Sequence, residues 1–247
     1  MSERLIFGLH AVMGALERDH TSIEQLWVDC GRRDERMRSV VAAAKSARIT
    51  IEFVKREDLD ELAGDVQHQG VIARGAATTP QGERELWSLL DALEEAAFLL
   101  VLDGVQDPHN LGACLRSADA AGVHAVIVPR DRAATLTPVV RKVACGAAET
   151  VPLIQVTNLA RTLEALQKRG VWITGAAGEA ECPVYELDLR GPLALVMGSE
   201  GKGLRRLTRE RCDQLGKIPM AGSVQSLNVS VATGIFLFEA VRQRQPV

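Results

Sequence analysis

The amino-acid sequence predicts an α/β protein, a small unit of alternating strands and helices followed by a larger unit on a mainly parallel sheet. Three observations carry that prediction. Uninterrupted apolar runs such as Phe98-Leu99-Leu100-Val101-Leu102 recur through the second half, as strands buried on both faces require. Helical segments lie between most of these runs, the alternation that a parallel sheet with crossover helices produces. Between the halves lies Ala76-Ala77-Thr78-Thr79-Pro80-Gln81-Gly82-Glu83, small, polar and broken by Pro and Gly, which reads as a linker.

Element by element, residues 1–75 alternate in type. A helix around His10–Arg18 precedes a strand Gln25–Asp29, a charged helix near Asp34–Ala47, a strand Thr50–Val54, a short helix Arg56–Leu62 and a strand Gly70–Arg74. This spacing suggests a three-layer α/β domain. Residues 76–97 hold the linker and a leading helix, Glu85–Glu95. From 98 to 247 the predicted strands are Phe98–Leu102, Ala125–Val128, Val151–Val156, Val171–Thr174 and Leu193–Met197. Helices Leu111–Ala121, Pro138–Ala147 and Leu159–Arg169 lie between them, a further strand ends at Ile218-Pro219, and Leu227–Arg242 forms the last helix.

Composition narrows the class. The 247 residues are 47% hydrophobic and 25% charged, which excludes a wholly disordered chain and supplies a core without disulfides or structural metal. The start MSERLIFGLH lacks the pattern of a signal peptide, and no run approaches the ~18 apolar residues of a membrane span. Five cysteines, Cys30, Cys114, Cys145, Cys182 and Cys212, form no C-x-x-C pair; mostly buried thiols, no metal site and a reducing cytoplasm are the expectation. The net charge of −3 on its face opposes a nucleic-acid partner. Its distribution does not: residues 1–75 carry 11 basic and 13 acidic groups, 76–97 carry 1 and 5, and 98–247 carry 17 and 14.

In a parallel sheet the chemistry sits beyond the carboxyl ends of the strands, and three loops there hold unusual residues. Asp103–Arg116 contains Pro108 and two glycines, with Asn110 placed as an N-cap. Arg116 is either a surface arginine paired to Asp119 or a cation able to hold a phosphate. Gly198-Ser199-Glu200-Gly201-Lys202-Gly203 matches neither a Walker A loop nor G-x-G-x-x-G; it is either a tight turn or a ligand loop. A carboxylate among glycines, Glu200, is rarely there for packing. Lys202, Arg205, Arg206, Arg209 and Arg211 follow, either a solvated face or a contact for phosphates. The third loop, Ile218–Ala232, offers Ser226 as the cap of a last helix whose small residues imply a tightly packed ligand or second subunit. In the first unit, His10 and His68 read more readily as structural than catalytic, and Gln67-His68-Gln69-Gly70 either touches a partner or caps its strand.

Together, Asp107–Arg116, Leu195–Gly203 and Ile218–Ser230 resemble, in order and spacing, the three signature motifs of the SPOUT (TrmH-type) RNA ribose methyltransferases, over residues 98–247. Residues 1–75 resemble the L30e-like RNA-binding domain that precedes this catalytic domain in ribosomal-RNA members. The resemblance implies a deep C-terminal trefoil knot, dimerisation through it, and S-adenosylmethionine bound near Gly198, Ile218 and Leu227. It implies active-site roles for Asn110, Arg116, Glu200, Ser226 and Asn228, and 2′-O-methylation of a guanosine in the peptidyl-transferase region of 23S ribosomal RNA. Three rivals stand beside it. They are a transfer-RNA methyltransferase, against which residues 1–75 count; a non-catalytic RNA-binding assembly factor, against which the intact motif residues count; and a dehydrogenase, whose fingerprint is absent.

Overall fold

The computed structural model describes residues 3–64, 66–76 and 81–244; linker positions 77–80 lie outside them. The chain divides into two compact units, one made of residues up to Thr79 with Cys145–Thr150, the other of Pro80–Ala144 and Val151–Val247.

The first unit is built on four strands, β1 (Glu3–Phe7), β2 (Ile23–Asp29), β3 (Thr50–Val54) and β4 (Val71–Ala76). Their order is β1-β4-β2-β3, with β2 parallel to β3 and both neighbours of β4 antiparallel to it. Strand alternation sends Leu26, Val28 and Ala73 to one face, against Val12 and Leu16 of α1 (Leu9–Asp19) and Val40 and Ala44 of α2 (Glu35–Ser46). The other face sets Ile72 and Trp27 against Leu59 and Ala63 of α3 (Arg56–Ala63). Those are the three layers expected. The first strand was not foreseen. The Asp34 carboxylate starts α2 by accepting from the Met37 N–H at 3.2 Å.

The second unit contains α4 (Glu83–Ala92), β5 (Phe98–Asp103), α5 (Pro108–Ala120), β6 (Ala125–Pro129) and α6 (Pro138–Ala144). After the short helix α7 (Ala147–Thr150), which groups with the first unit, it continues with β7 (Leu153–Val156), α8 (Leu159–Lys168), β8 (Trp172–Ala176) and β9 (Leu193–Gly198). It ends with α9 (Arg206–Glu210), β10 (Gln214–Gly216) and α10 (Val229–Arg244). The six strands are all parallel, ordered β10-β8-β9-β5-β6-β7.

Every residue of β5 is buried, as a central strand covered on both sides must be. Leu99, Val101, Ile173 and Val196 meet Leu86 of α4 and the Leu159, Leu163 and Leu166 stripe of α8, which has helical spacing. The alternate residues Leu100, Leu102 and Leu195, also buried, point to the face where α10 packs on β9 and α5. From β5 the chain builds outward through β6 to β7, then crosses back to β8 on the other side of β9. The order therefore reverses beside β5 and β9, the switch point at whose carboxyl edge such sheets bind their ligands.

Several boundaries differ from expectation. The helix predicted over Pro138–Ala147 breaks after Ala144, where Cys145 and Gly146 take φ of 51° and 99°. The strand predicted to end at Ile218-Pro219 stops at Gly216, and the last helix begins at Val229 rather than Leu227. Within that helix Thr233 Oγ1 lies 3.5 Å from Cys114 Sγ of α5. Of the thiols expected to be mostly buried, only Cys114 is fully so; Cys30 and Cys145 are exposed and Cys182 and Cys212 are half-buried. Burial pushes the Cys114 thiol up to about 11 and the Cys212 thiol up to about 12, so both stay protonated at neutral pH and neither is a nucleophile.

Candidate active site

The loops after β5 and β9 and the segment entering α10 converge at the carboxyl edge of the sheet. Helix α5 starts at Asp107, whose carboxylate accepts from the His109 N–H at 2.9 Å, with Pro108 in its first turn. The cap is therefore Asp107 and not Asn110. Asn110 lies inside the first turn and is only 6% exposed, so its amide must find partners within the protein.

Those partners are the other motif residues. Asn110 Nδ2 donates to Glu200 Oε1, and Asn228 Nδ2 donates to Asn110 Oδ1 at 2.9 Å and to Glu200 Oε1 at 3.3 Å. Asn228 Oδ1 in turn accepts from the Ser230 N–H at 2.8 Å and the Ser230 hydroxyl at 2.6 Å. Asn228 thus caps α10, the role expected of Ser226, which is exposed in the preceding loop. A carboxylate only accepts, and both amides give their N–H groups to Glu200 Oε1. The amide orientations are set by that network, leaving Glu200 Oε2 for a ligand.

The glycine loop that carries Glu200 is a closed turn. Ser199 and Gly203 exchange backbone hydrogen bonds of 3.1 and 2.9 Å. A Cβ on Gly198 would sit 2.2 Å from the Gly203 carbonyl carbon, a distance no side chain tolerates, so glycine is obligatory there. Beyond the turn, the wholly buried Asp103 at the end of β5 accepts from the Arg205 N–H at 2.8 Å and from its guanidinium. Asp103 therefore moors the Glu200 loop to the central strand. Sequence reasoning passed over it because an aspartate ending a strand looks like any turn residue.

Arg116 lies in the third turn of α5 and is exposed, while Asn110, Glu200 and Asn228 are joined directly. The arginines after the glycine loop are each ion-paired within the chain. Arg205 is held by Asp103, Arg206 by Glu210 at 2.6 Å, Arg209 by Glu179 and Arg211 by Glu164 at 3.4 Å.

The residues expected at the cofactor frame a distinctive stretch. Lys217 still pairs through its backbone with Cys182 and Val184, and the Asn228 carbonyl accepts from Ala232. Between them, residues 218–227 form no backbone hydrogen bond with the described residues, although Ile218 and Leu227 are half-buried. Residues 219–226 are exposed, so their main-chain donors and acceptors are open to a ligand.

In the first unit, the Gln67–Gly70 turn is structural at His68. The buried His68 Nδ1 accepts from the Gly70 N–H at 3.1 Å, so Nε2 carries the proton it donates to Asp60 Oδ1 at 2.8 Å. Gln69 Oε1 accepts from the Leu9 N–H at 3.3 Å, while Gln67 is exposed beside a cleft of about 470 Å³ that Arg32 and Arg56 also line. Among the described residues there is no group of three or more His, Cys, Asp or Glu able to hold a metal ion, and no helix is long and apolar enough to cross a membrane.

A parallel sheet covered on both faces, with an Asn–Glu–Asn network at its switch point, is an α/β fold with polar residues where such sheets bind their ligands. The chain belongs to the SpoU rRNA methylase family, whose model matches residues 97–238; a second model, for RNA 2′-O ribose methyltransferase substrate binding, matches residues 5–81. It is 60% identical over 241 residues to the 23S rRNA (guanosine-2′-O-)-methyltransferase RlmB of Shewanella oneidensis, covering 98% of each chain. It is 57% identical to the protein of the same name from Escherichia coli K12, covering 99% of this chain and 100% of the relative. Among solved structures it is similar to the SpoU methyltransferase AviRb from Streptomyces viridochromogenes in complex with AdoMet. There the TM-score is 0.75 at 25% identity, covering 98% of this chain and 90% of that one. An A. aeolicus TrmH/SpoU tRNA modifying enzyme matches 65% of this chain at 33% identity, with a TM-score of 0.56.

Proposed function

We propose that the protein transfers a methyl group from S-adenosylmethionine to the 2′-oxygen of a guanosine in the peptidyl-transferase region of 23S ribosomal RNA. The observation that carries this reading is the joined Asn110–Glu200–Asn228 network on a chain similar over nearly its whole length to enzymes of that name. Residues 1–75 act as the RNA-recognition unit and 98–247 as the catalytic unit, joined through 76–97, and the reaction takes place in the cytoplasm. Relatives named as 23S rRNA enzymes match 98–99% of this chain, whereas the tRNA modifying enzyme matches 65% of it, which favours ribosomal over transfer RNA.

Gly198, Ile218 and Leu227 would hold the cofactor, main-chain groups of 218–227 supplying the recognition. The bound cofactor provides an electrophilic methyl on a sulfonium. The chain's own residues must bring the ribose in line and manage its proton. Asn110 and Asn228 hold Glu200 Oε1, so Glu200 Oε2 orients the ribose hydroxyl. Arg116, permanently charged, fixes the adjacent phosphate and stabilises the negative charge that develops on the attacking oxygen, while that phosphate accepts the hydroxyl proton as the methyl leaves the sulfonium. Ser226, exposed on the loop before α10, lines the entry for RNA.

The return of the chain from β9 through the edge strand β10 to α10 supports the trefoil knot implied by the family. Homodimerisation rests on α10, where Val231 and Phe238, 51% and 50% exposed, lie seven residues apart with half-buried Ile235 between them. That spacing makes one apolar stripe.

Arg116→Ala tests the catalytic assignment. Removing a group that stabilises transition-state charge costs about 10²–10³ in rate, so turnover should fall by that factor while calorimetry finds cofactor affinity within about threefold of wild type. Equal loss of turnover and cofactor affinity would remove Arg116 from the catalytic role.

A further inference from the structure

Half of the second unit's lysines and arginines are held by a carboxylate of the chain. Besides the run after the glycine loop, Arg161, Lys168, Arg169, Arg190 and Arg242 are each held by a carboxylate. Five others make no ion pair and no side-chain hydrogen bond with any described residue: Arg84, Arg130, Arg132, Lys202 and Lys217. Their placement is uneven. Arg84 starts α4 on the β7 side, next to Glu83, which accepts from the Thr157 N–H just past β7, whereas Arg130 directly follows β6, Arg132 comes two residues later, Lys202 sits in the loop after β9 and Lys217 directly follows β10. The unpaired charge is gathered at the carboxyl edge, where the Asn–Glu–Asn network lies.

The Arg130–Arg132 turn is anchored beside that network. The Ala134 N–H donates to the Val105 carbonyl at 2.9 Å and Gln106 Nε2 donates to the Arg132 carbonyl at 3.4 Å. The turn therefore rides on the loop that leads to Asn110. Arg132 adopts φ 58°, a left-handed conformation rare outside glycine and asparagine. Asp131 is the one acid in this turn, while Asp103, Asp107 and Glu200 are engaged elsewhere.

An arginine already paired must give up its carboxylate to bind a phosphate, whereas an unpaired, hydrated one exchanges only water and counterions. We propose that Arg130, Arg132 and Lys202, continued by Lys217, form a phosphate-binding rim. It grips the single-stranded RNA backbone on either side of the target ribose. This deepens the RNA reading above and rests on it. The rim accounts for positioning rather than base choice, since phosphate contacts carry no sequence information.

The test measures binding of a fluorescent, unmethylated ribosomal RNA fragment to the full chain across about 50–200 mM salt. Each neutralised phosphate on a single strand contributes about 0.7 to the slope of log affinity against log salt. The triple variant Arg130→Gln, Arg132→Gln, Lys202→Gln should therefore flatten that slope by about 2 and weaken binding more than tenfold at the lowest salt. Arg84→Gln, removing an equally unpaired cation at the β7 end of the same edge, two strands from β5, should leave the wild-type slope, and melting curves establish that each variant is folded. A folded triple variant with the wild-type slope, or an equal loss in Arg84→Gln, overturns the rim while leaving the RNA reading intact. An acidic protein as the true ligand gives that same unchanged slope. Wild-type protein that neither binds nor methylates the fragment overturns the RNA reading and the rim with it.

Discussion

Asn228 serves two ends with one side chain. Its Oδ1 accepts from the Ser230 N–H and caps α10, while its Nδ2 joins Asn110 and Glu200. Substitutions separate the two. Asn228→Asp keeps the capping oxygen but replaces the donor with a second carboxylate beside Glu200. Its melting temperature should stay near wild type while turnover drops at least about tenfold, the lower end of what losing a positioning hydrogen bond costs. Asn228→Ala should lose activity and also about 1 kcal/mol of stability, read by denaturant titration. An active Asn228→Asp enzyme would sink the positioning role. At this scale Glu200 stood out, because a carboxylate among glycines has few structural reasons to be there, whereas Asn110 read as a helix cap and Asn228 came only from the family resemblance. Asp103 was not legible, because its meaning depends on Arg205, about a hundred residues away in the chain.

At the scale of elements, pattern located the strands and helices and misplaced their ends. Both N-cap assignments slipped for the same reason. Asp107 and Asn110, like Ser226 and Asn228, are all competent caps, and local sequence does not say which one the tertiary contacts select. The arginine run makes a parallel point, since charge is visible in sequence but its pairing with Asp103, Glu179 and Glu164 is not. The packing of α5 on α6 gives a sharper test. A Cβ at Gly112 would lie 2.7 Å from Val143 Cβ and 2.8 Å from the Val140 carbonyl oxygen. Gly112→Ala gains about 1 kcal/mol in helix propensity, against overpacking that costs about 1–3 kcal/mol. A clash with backbone falls at the upper end, so the variant should melt several degrees lower. A variant as stable as wild type would mean that the two helices separate freely.

For the whole molecule, net charge was the poorest guide. A chain at −3 looks unsuited to RNA until its acids are seen tying down its own arginines and its unpaired cations are seen to gather at one edge. The two-unit division was legible from the linker composition and the change in strand character. The grouping of Cys145–Thr150 with the first unit was not, since long-range contacts leave no local pattern. The central claim, that this assembly methylates a ribose of ribosomal RNA, is tested most directly by methyl transfer from labelled S-adenosylmethionine. The substrates are unmethylated 23S ribosomal RNA fragments and transfer RNA, with the modified nucleotide then mapped. The account predicts label on the 2′-oxygen of one guanosine in the peptidyl-transferase region and none on transfer RNA. Labelled transfer RNA beside inert ribosomal RNA would contradict it.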